Sequence, residues 1–312
     1  MFSFYTSAFK SIKPQNWKVI GFTVISAIML LILLIPSAFL IGSAITNYHV
    51  QEQMQSQLGG GGSNVSNMLP VFASIIIVAL VWILLGYPVF SSLVYMISKA
   101  TRGETVNIRD IFSTFFKGRY AKSLLMGLIS SIIFAIAYAI YKLIMRLYIM
   151  LASSIINHFA SSLQNVSNPN NILTTIQIVN SVISGLVLSI VMIIAFMIII
   201  NMTASFVNDV ERSAGTHIKN GFKGIKNGHK TWFKFFIGTV LIWLISIIVL
   251  NVLIPLISLS LHSMSQRVAS IILIVLIIIG LIISIILLYI IFVAMVHYFN
   301  RNGKKPEKST KA

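Results

Sequence analysis

No cysteine occurs in these 312 residues. Disulfides, thiolate metal ligation and thiol nucleophiles are therefore excluded. Carboxylates are nearly as scarce: Glu52, Glu104, Asp110, Asp209, Glu211 and Glu307 are the whole complement. Charged residues of both signs make up only 9% of the chain, where a soluble globular protein carries about 25%. A surface with so few ionic groups cannot be covered for water, so the composition calls for lipid as solvent. Catalytic signatures are missing as well. There is no G-x-S-x-G, no H-E-x-x-H and no Walker-type phosphate loop. The glycine run 59–62 is followed by Ser63 rather than by Lys and Ser or Thr, and reads as a flexible linker.

What the chain has in quantity is apolar sequence, 57% of all residues. A helix crossing a bilayer needs about 20 mostly apolar residues. Six stretches qualify: 19–45, 69–97, 124–145, 176–206, 235–257 and 268–296. They predict an all-α integral membrane protein with six transmembrane helices in a single domain, 1–312, ending in a basic tail, 297–312. No carboxylate falls inside a predicted span, which argues against a proton- or cation-coupled transporter built on buried acids.

The cations fix the expected orientation. Of the 23 Lys and Arg residues, 20 lie before the first span, between the second and third, between the fourth and fifth, or after the sixth. The other three, Lys142, Arg146 and Arg267, lie on the opposite side. Basic loops stay cytoplasmic, so both termini are expected inside a bacterial cytoplasmic membrane. The net charge of +17 would also suit nucleic acid. Cations flanking apolar runs, however, meet anionic headgroups, so anionic membrane lipids are the expected partner and nucleic acid is not.

Each basic segment reads as an amphipathic helix at the cytoplasmic interface. In the middle one, Ile108, Ile111, Phe112, Phe115 and Phe116 follow the spacing of one α-helical face, with Arg109, Asp110, Ser113 and Thr114 opposite. Such a helix would lie in the headgroup plane, or serve as a coupling helix to a cytoplasmic partner. The outer two copies share a pattern. Phe9, Lys10, Ile12 and Lys13 align with Phe222, Lys223, Ile225 and Lys226, and Trp17 aligns with Trp232 after a two-residue insertion. A threefold repeat of helix, span and span would account for this.

The stretch 86–122 carries a bend at Gly86 and Pro88, the turn Arg102-Gly103-Glu104, and then Asp110-Ile111-Phe112. In these features it resembles a loose group of bacterial six-span proteins that includes the membrane domain of some glycerophosphoryl diester phosphodiesterases. The stretch 206–234 is similar to that group's second signature. The resemblance implies the layout of the whole chain. Because members of the group mostly lack an assigned activity, it implies no chemistry.

Few residues remain for a site. Lys142 and Arg146 share one helix face at i, i+4. If the third span ends near Lys142, both snorkel to the outer interface; if the helix continues to about Leu151, the pair could grip a lipid phosphate or an anionic solute. His49, His158, His262 and Glu52 lie on the outer side without metal-site spacing, so no metal and no cofactor is expected. The reading is a non-enzymatic scaffold, accessory or lipid-interacting envelope factor, with another envelope protein as a further partner. The alternative is the permease subunit of an exporter powered by a separate cytoplasmic ATPase.

Overall fold

The computed structural model of the chain describes residues 2–57, 65–116, 118–158, 169–225, 230–261 and 265–304. Among them the regular structure is helical throughout. Six helical stretches are long and apolar enough to cross a membrane. In chain order the helices are α1 (Ser3–Ile12), α2 (Asn16–Gln57), α3 (Val65–Val81), α4 (Tyr87–Thr101), α5 (Arg119–His158), α6 (Pro169–Asn208), α7 (Ala214–Ile225), α8 (Trp232–Ile248), α9 (Ile254–Ser260) and α10 (Gln266–Asn300). The predicted spans 19–45, 124–145, 176–206 and 268–296 each lie within one of these helices, while 69–97 and 235–257 each run through two helices and the turn that joins them.

The helices outrun the predictions. At about 1.5 Å per residue, α2, with 42 residues, spans ~63 Å, and α5 and α6, with 40 each, span ~60 Å. A hydrocarbon core is about 30 Å thick. The third span was expected to end at 145, yet α5 continues to His158. No proline interrupts 119–158, and the one glycine there is Gly127. Residues 143–152 are good helix formers even where charge returns.

Two prolines disturb their helices in the same way. Over Trp82–Gly86 the backbone widens into a π-turn, and the Tyr87 N–H donates to the Trp82 carbonyl. Pro88 follows, as the sequence bend suggested. Over Val249–Leu253 the Ile254 N–H donates to the Val249 carbonyl, and Pro255 follows. Proline lacks a donor and pushes away the carbonyl four residues earlier. At Pro88 that carbonyl belongs to Leu84, and the Tyr120 hydroxyl donates to it at 3.1 Å.

Contacts gather into two compact units. The first comprises Met1–Lys10, Ile133–Asn201 and Gly221–Ala312. Its aromatic centre is Phe4, Tyr5, Phe235 and Tyr298, all buried, with Phe235 and Tyr298 stacked at 4.5 Å. The Tyr5 hydroxyl pairs with Thr239 at 2.6 Å, which ties the chain's first helix to α8. Farther along, Ser246 of α8 meets Ser284 of α10 at 2.5 Å, and Gly280 lets Leu250 pack closely against the α10 backbone. Small residues at such crossings let helices approach in lipid.

The second unit comprises Ser11–Ile132 and Met202–Asn220. Here α2 packs on α3 and α4, and α4 packs on a 3-10 segment, Ile108–Phe115. Tyr87 is fully buried and pairs with Thr203 at 3.0 Å. The Trp82 indole donates to Ser130 at 3.1 Å. Gly86 is required beneath that ring, since a Cβ there would meet Trp82 Cε3 at 2.6 Å.

Candidate functional site

The turn Arg102-Gly103-Glu104 and the residues Asp110 and Ile111 lie in the second unit. After α4 the chain turns at Gly103, whose φ of +82° favours glycine. Arg102 then reaches two ways, to Glu104 at 2.9 Å and to Asn208 Oδ1 at 2.9 Å. Ser98 donates to the same Asn208 oxygen at 2.9 Å. Gln15 closes the turn from below: its amide donates to the Glu104 carbonyl at 2.8 Å, and its oxygen accepts from the Val106 N–H at 2.7 Å. Lys99 pairs with Asp110 at 3.1 Å, both largely buried. The Asp110 carboxylate also accepts the Asn107 N–H at 2.8 Å and so caps the segment that follows.

That segment differs from the expected amphipathic α-helix. Ile108–Phe115 is 3-10 helical, so side chains three apart share a face. Ile111 and Thr114 turn inward together at 1% exposure each, and Asp110 sinks beside them. Thr114 is held by Ser91 at 3.0 Å, and its N–H donates to Ser92 at 3.0 Å. Ile108 at the first residue of the segment (59% exposed), Phe112 (39%) and Phe116 just after it (61%) remain exposed, as does Arg109. Phe115 is half-buried and stacks on Tyr120 at 5.8 Å. The expectation of a single apolar stripe is corrected accordingly. Asp110 and Thr114, assigned to the polar face, are interior, while Ile108, Phe112 and Phe116 are exposed apolar side chains. Lys117 lies outside the described residues.

The end of α6 supplies what the sequence did not flag. Thr203, Ser205 and Asn208 all point into polar contacts of this unit. His217 of α7 is buried, paired through Nδ1 with Ser205 at 3.0 Å, and set edge-on to Phe206 at 5.7 Å. Burial pushes its pKa below the ordinary histidine value, opposed by the Arg212 backbone and the Asp209 charge. The alternation of polar residues in 201–208 was the available signal, since a helix end facing only lipid has no use for them.

Carboxylates in this unit are all engaged: Glu52 with His49 at 3.6 Å, Glu211 with Lys122 at 3.7 Å, Asp209 with Arg212 at 2.6 Å, and Glu104 and Asp110 as above. Lys13, Lys18, Arg109 and Lys219 are exposed and make no ion pair among the described residues. In the first unit Lys142 and Arg146 are exposed on α5, with Lys142 Nζ 5.4 Å from the centre of the Tyr138 ring. The helix that carries them runs past Leu151 to His158. His262 and the His158 side chain lie outside the described residues. Among the residues that are described, no three His, Asp or Glu side chains gather as metal ligands.

No family model matches the chain, and neither a curated protein nor a solved structure shows significant similarity to it.

Proposed function

We propose that this chain is a non-enzymatic integral protein of a bacterial cytoplasmic membrane, with both termini in the cytoplasm, that works by engaging anionic lipid as a scaffold or accessory factor of the envelope. The observation that carries this reading is the one-sided distribution of cations, 20 against three. Such asymmetry sets topology and attracts anionic headgroups at about 1 kcal/mol per Lys or Arg near the surface. Support comes from the joint at Lys99–Asp110 and Arg102–Glu104. It consumes the local carboxylates internally and leaves Arg109 and the apolar side chains of Ile108, Phe112 and Phe116 exposed. Aromatic and aliphatic side chains beside cations suit a headgroup layer, with rings among acyl chains and cations on phosphates.

The chain's lack of native cysteine makes the test direct. With single substitutions His49→Cys and Arg109→Cys, a membrane-impermeant maleimide added to intact cells should label position 49. Position 109 should be labelled only after permeabilisation. The reverse pattern would overturn the orientation and the function built on it.

The same exposed aromatic side chains support a second reading, a coupling surface for the ATPase of an exporter. Phe112→Asp and Phe116→Asp would then abolish copurification of a nucleotide-binding partner with the wild-type chain. If the wild-type chain brings down no such partner, the permease reading fails.

A further inference from the structure

The unit that holds Lys142 and Arg146 contains no Asp or Glu among its described residues. These two cations therefore have no carboxylate counter-ion among the described residues of their own unit. Their level along α5 is informative. Lys122, near the start of α5, pairs with Glu211 and donates to the Val210 carbonyl at 2.9 Å. Lys142 and Arg146 lie 20 and 24 residues later, ~30 and ~36 Å along the axis. That is the distance from one edge of the hydrocarbon core to the phosphate layer of the other leaflet.

Neighbouring side chains mark the same boundary. Tyr141 pairs with Ser184 at 2.9 Å, Tyr148 donates to Asn180 at 2.6 Å, and Ser181 donates to Asn251 at 3.1 Å. Tyrosines collect at headgroup level because one end of the ring is apolar and the other polar. These polar groups satisfy one another, and neither Lys142 nor Arg146 forms an ion pair among the described residues. The Tyr138 ring restrains the Lys142 side chain on the exposed face.

We propose that Lys142 and Arg146 form a phosphate-recognition site at the outer boundary of the bilayer, and that its natural occupant is the headgroup of an anionic phospholipid. A phosphodiester offers an oxygen to each cation, and Arg can take two in parallel. The placement rests on the membrane orientation proposed above.

The test uses the full chain in neutral detergent, titrated with phosphatidylglycerol, phosphatidylcholine or inorganic phosphate and read by native mass spectrometry. Lys142→Gln/Arg146→Gln should weaken phosphatidylglycerol binding about 20-fold, since each cation near a lipid surface contributes roughly a factor of five. Phosphatidylcholine binding should not change. The control Lys13→Gln/Lys18→Gln removes two exposed cations of the other unit and should leave the strongest phosphatidylglycerol site intact. Lipid loss confined to the first variant supports the headgroup, and variant-sensitive binding of inorganic phosphate alone supports recognition of a soluble anion at the same cations. No loss, or equal loss in both variants, overturns the site. Labelling of Met150→Cys from outside intact cells reads orientation separately. A label from inside with lipid loss retained would sink the orientation and leave the site standing.

Discussion

At the scale of single residues, the most consequential group is Asp110. One carboxylate neutralises Lys99, caps the 3-10 segment through the Asn107 N–H, and sits beside Ile111 and Thr114 in the interior. Removing one partner of a largely buried pair leaves the other charge uncompensated and costs about 3 kcal/mol. Asp110→Ala should therefore lower the melting temperature by roughly 6–10 °C. Lys99→Met in the same chain should recover part of that loss, because the stranded charge is gone. His217 gives a pH signature. Its folded pKa lies below that of the unfolded chain, so the neutral form is the one the fold favours. The stability it contributes is complete above about pH 6.5 and is lost as pH falls below that toward the folded pKa. Melting temperature should decline between pH 7 and pH 5, and His217→Gln should make the decline shallower. An unchanged slope would show that other groups carry it.

At the scale of elements, the two π-turns ahead of proline show how a helix absorbs a residue that cannot donate. The arrangement at Pro88 is specific enough to test by a double-mutant cycle. Tyr120→Phe leaves the Leu84 carbonyl without its donor and should cost ~1 kcal/mol. In a Pro88→Ala background the restored N–H can take that carbonyl, and the cost of Tyr120→Phe should vanish. Thermal melts of the four chains would measure the coupling. The 3-10 segment teaches a related lesson. Its sequence fits an α-helical face equally well, but Ser91, Ser92 and Lys99 offer partners to Thr114 and Asp110, and only a turn of three residues aligns Ile111 with Thr114. Tertiary hydrogen bonds chose between two local geometries of similar propensity.

At the scale of the whole molecule, charge is the organising quantity. Most cations have no carboxylate to pair with, since the chain has 23 Lys and Arg against six Asp and Glu. Anionic lipid should therefore stabilise the protein. The melting temperature should be higher in nanodiscs rich in phosphatidylglycerol than in phosphatidylcholine. The difference should shrink between 50 mM and 500 mM salt, as screening shortens the reach of exposed charges. An equal melting temperature in both lipids would contradict the proposed function.

The sequence by itself determined the number of apolar helices, their approximate positions and the scarcity of acid–base chemistry. Hydropathy and charge are local, additive properties of a segment, so they can be read without knowing what the segment touches. It also pointed to the neighbourhood of Pro88 as a disturbed stretch of helix, because a missing donor acts on the immediate backbone. Only the tertiary structure decided that α5 continues to His158, that Asp110 and His217 are interior, and that Gln15, Ser98 and Asn208 close the turn around Arg102 and Glu104. Those outcomes depend on partners about 90 to 110 residues away for the turn, and a polar side chain's choice between water, lipid and a distant partner is made when the helices meet.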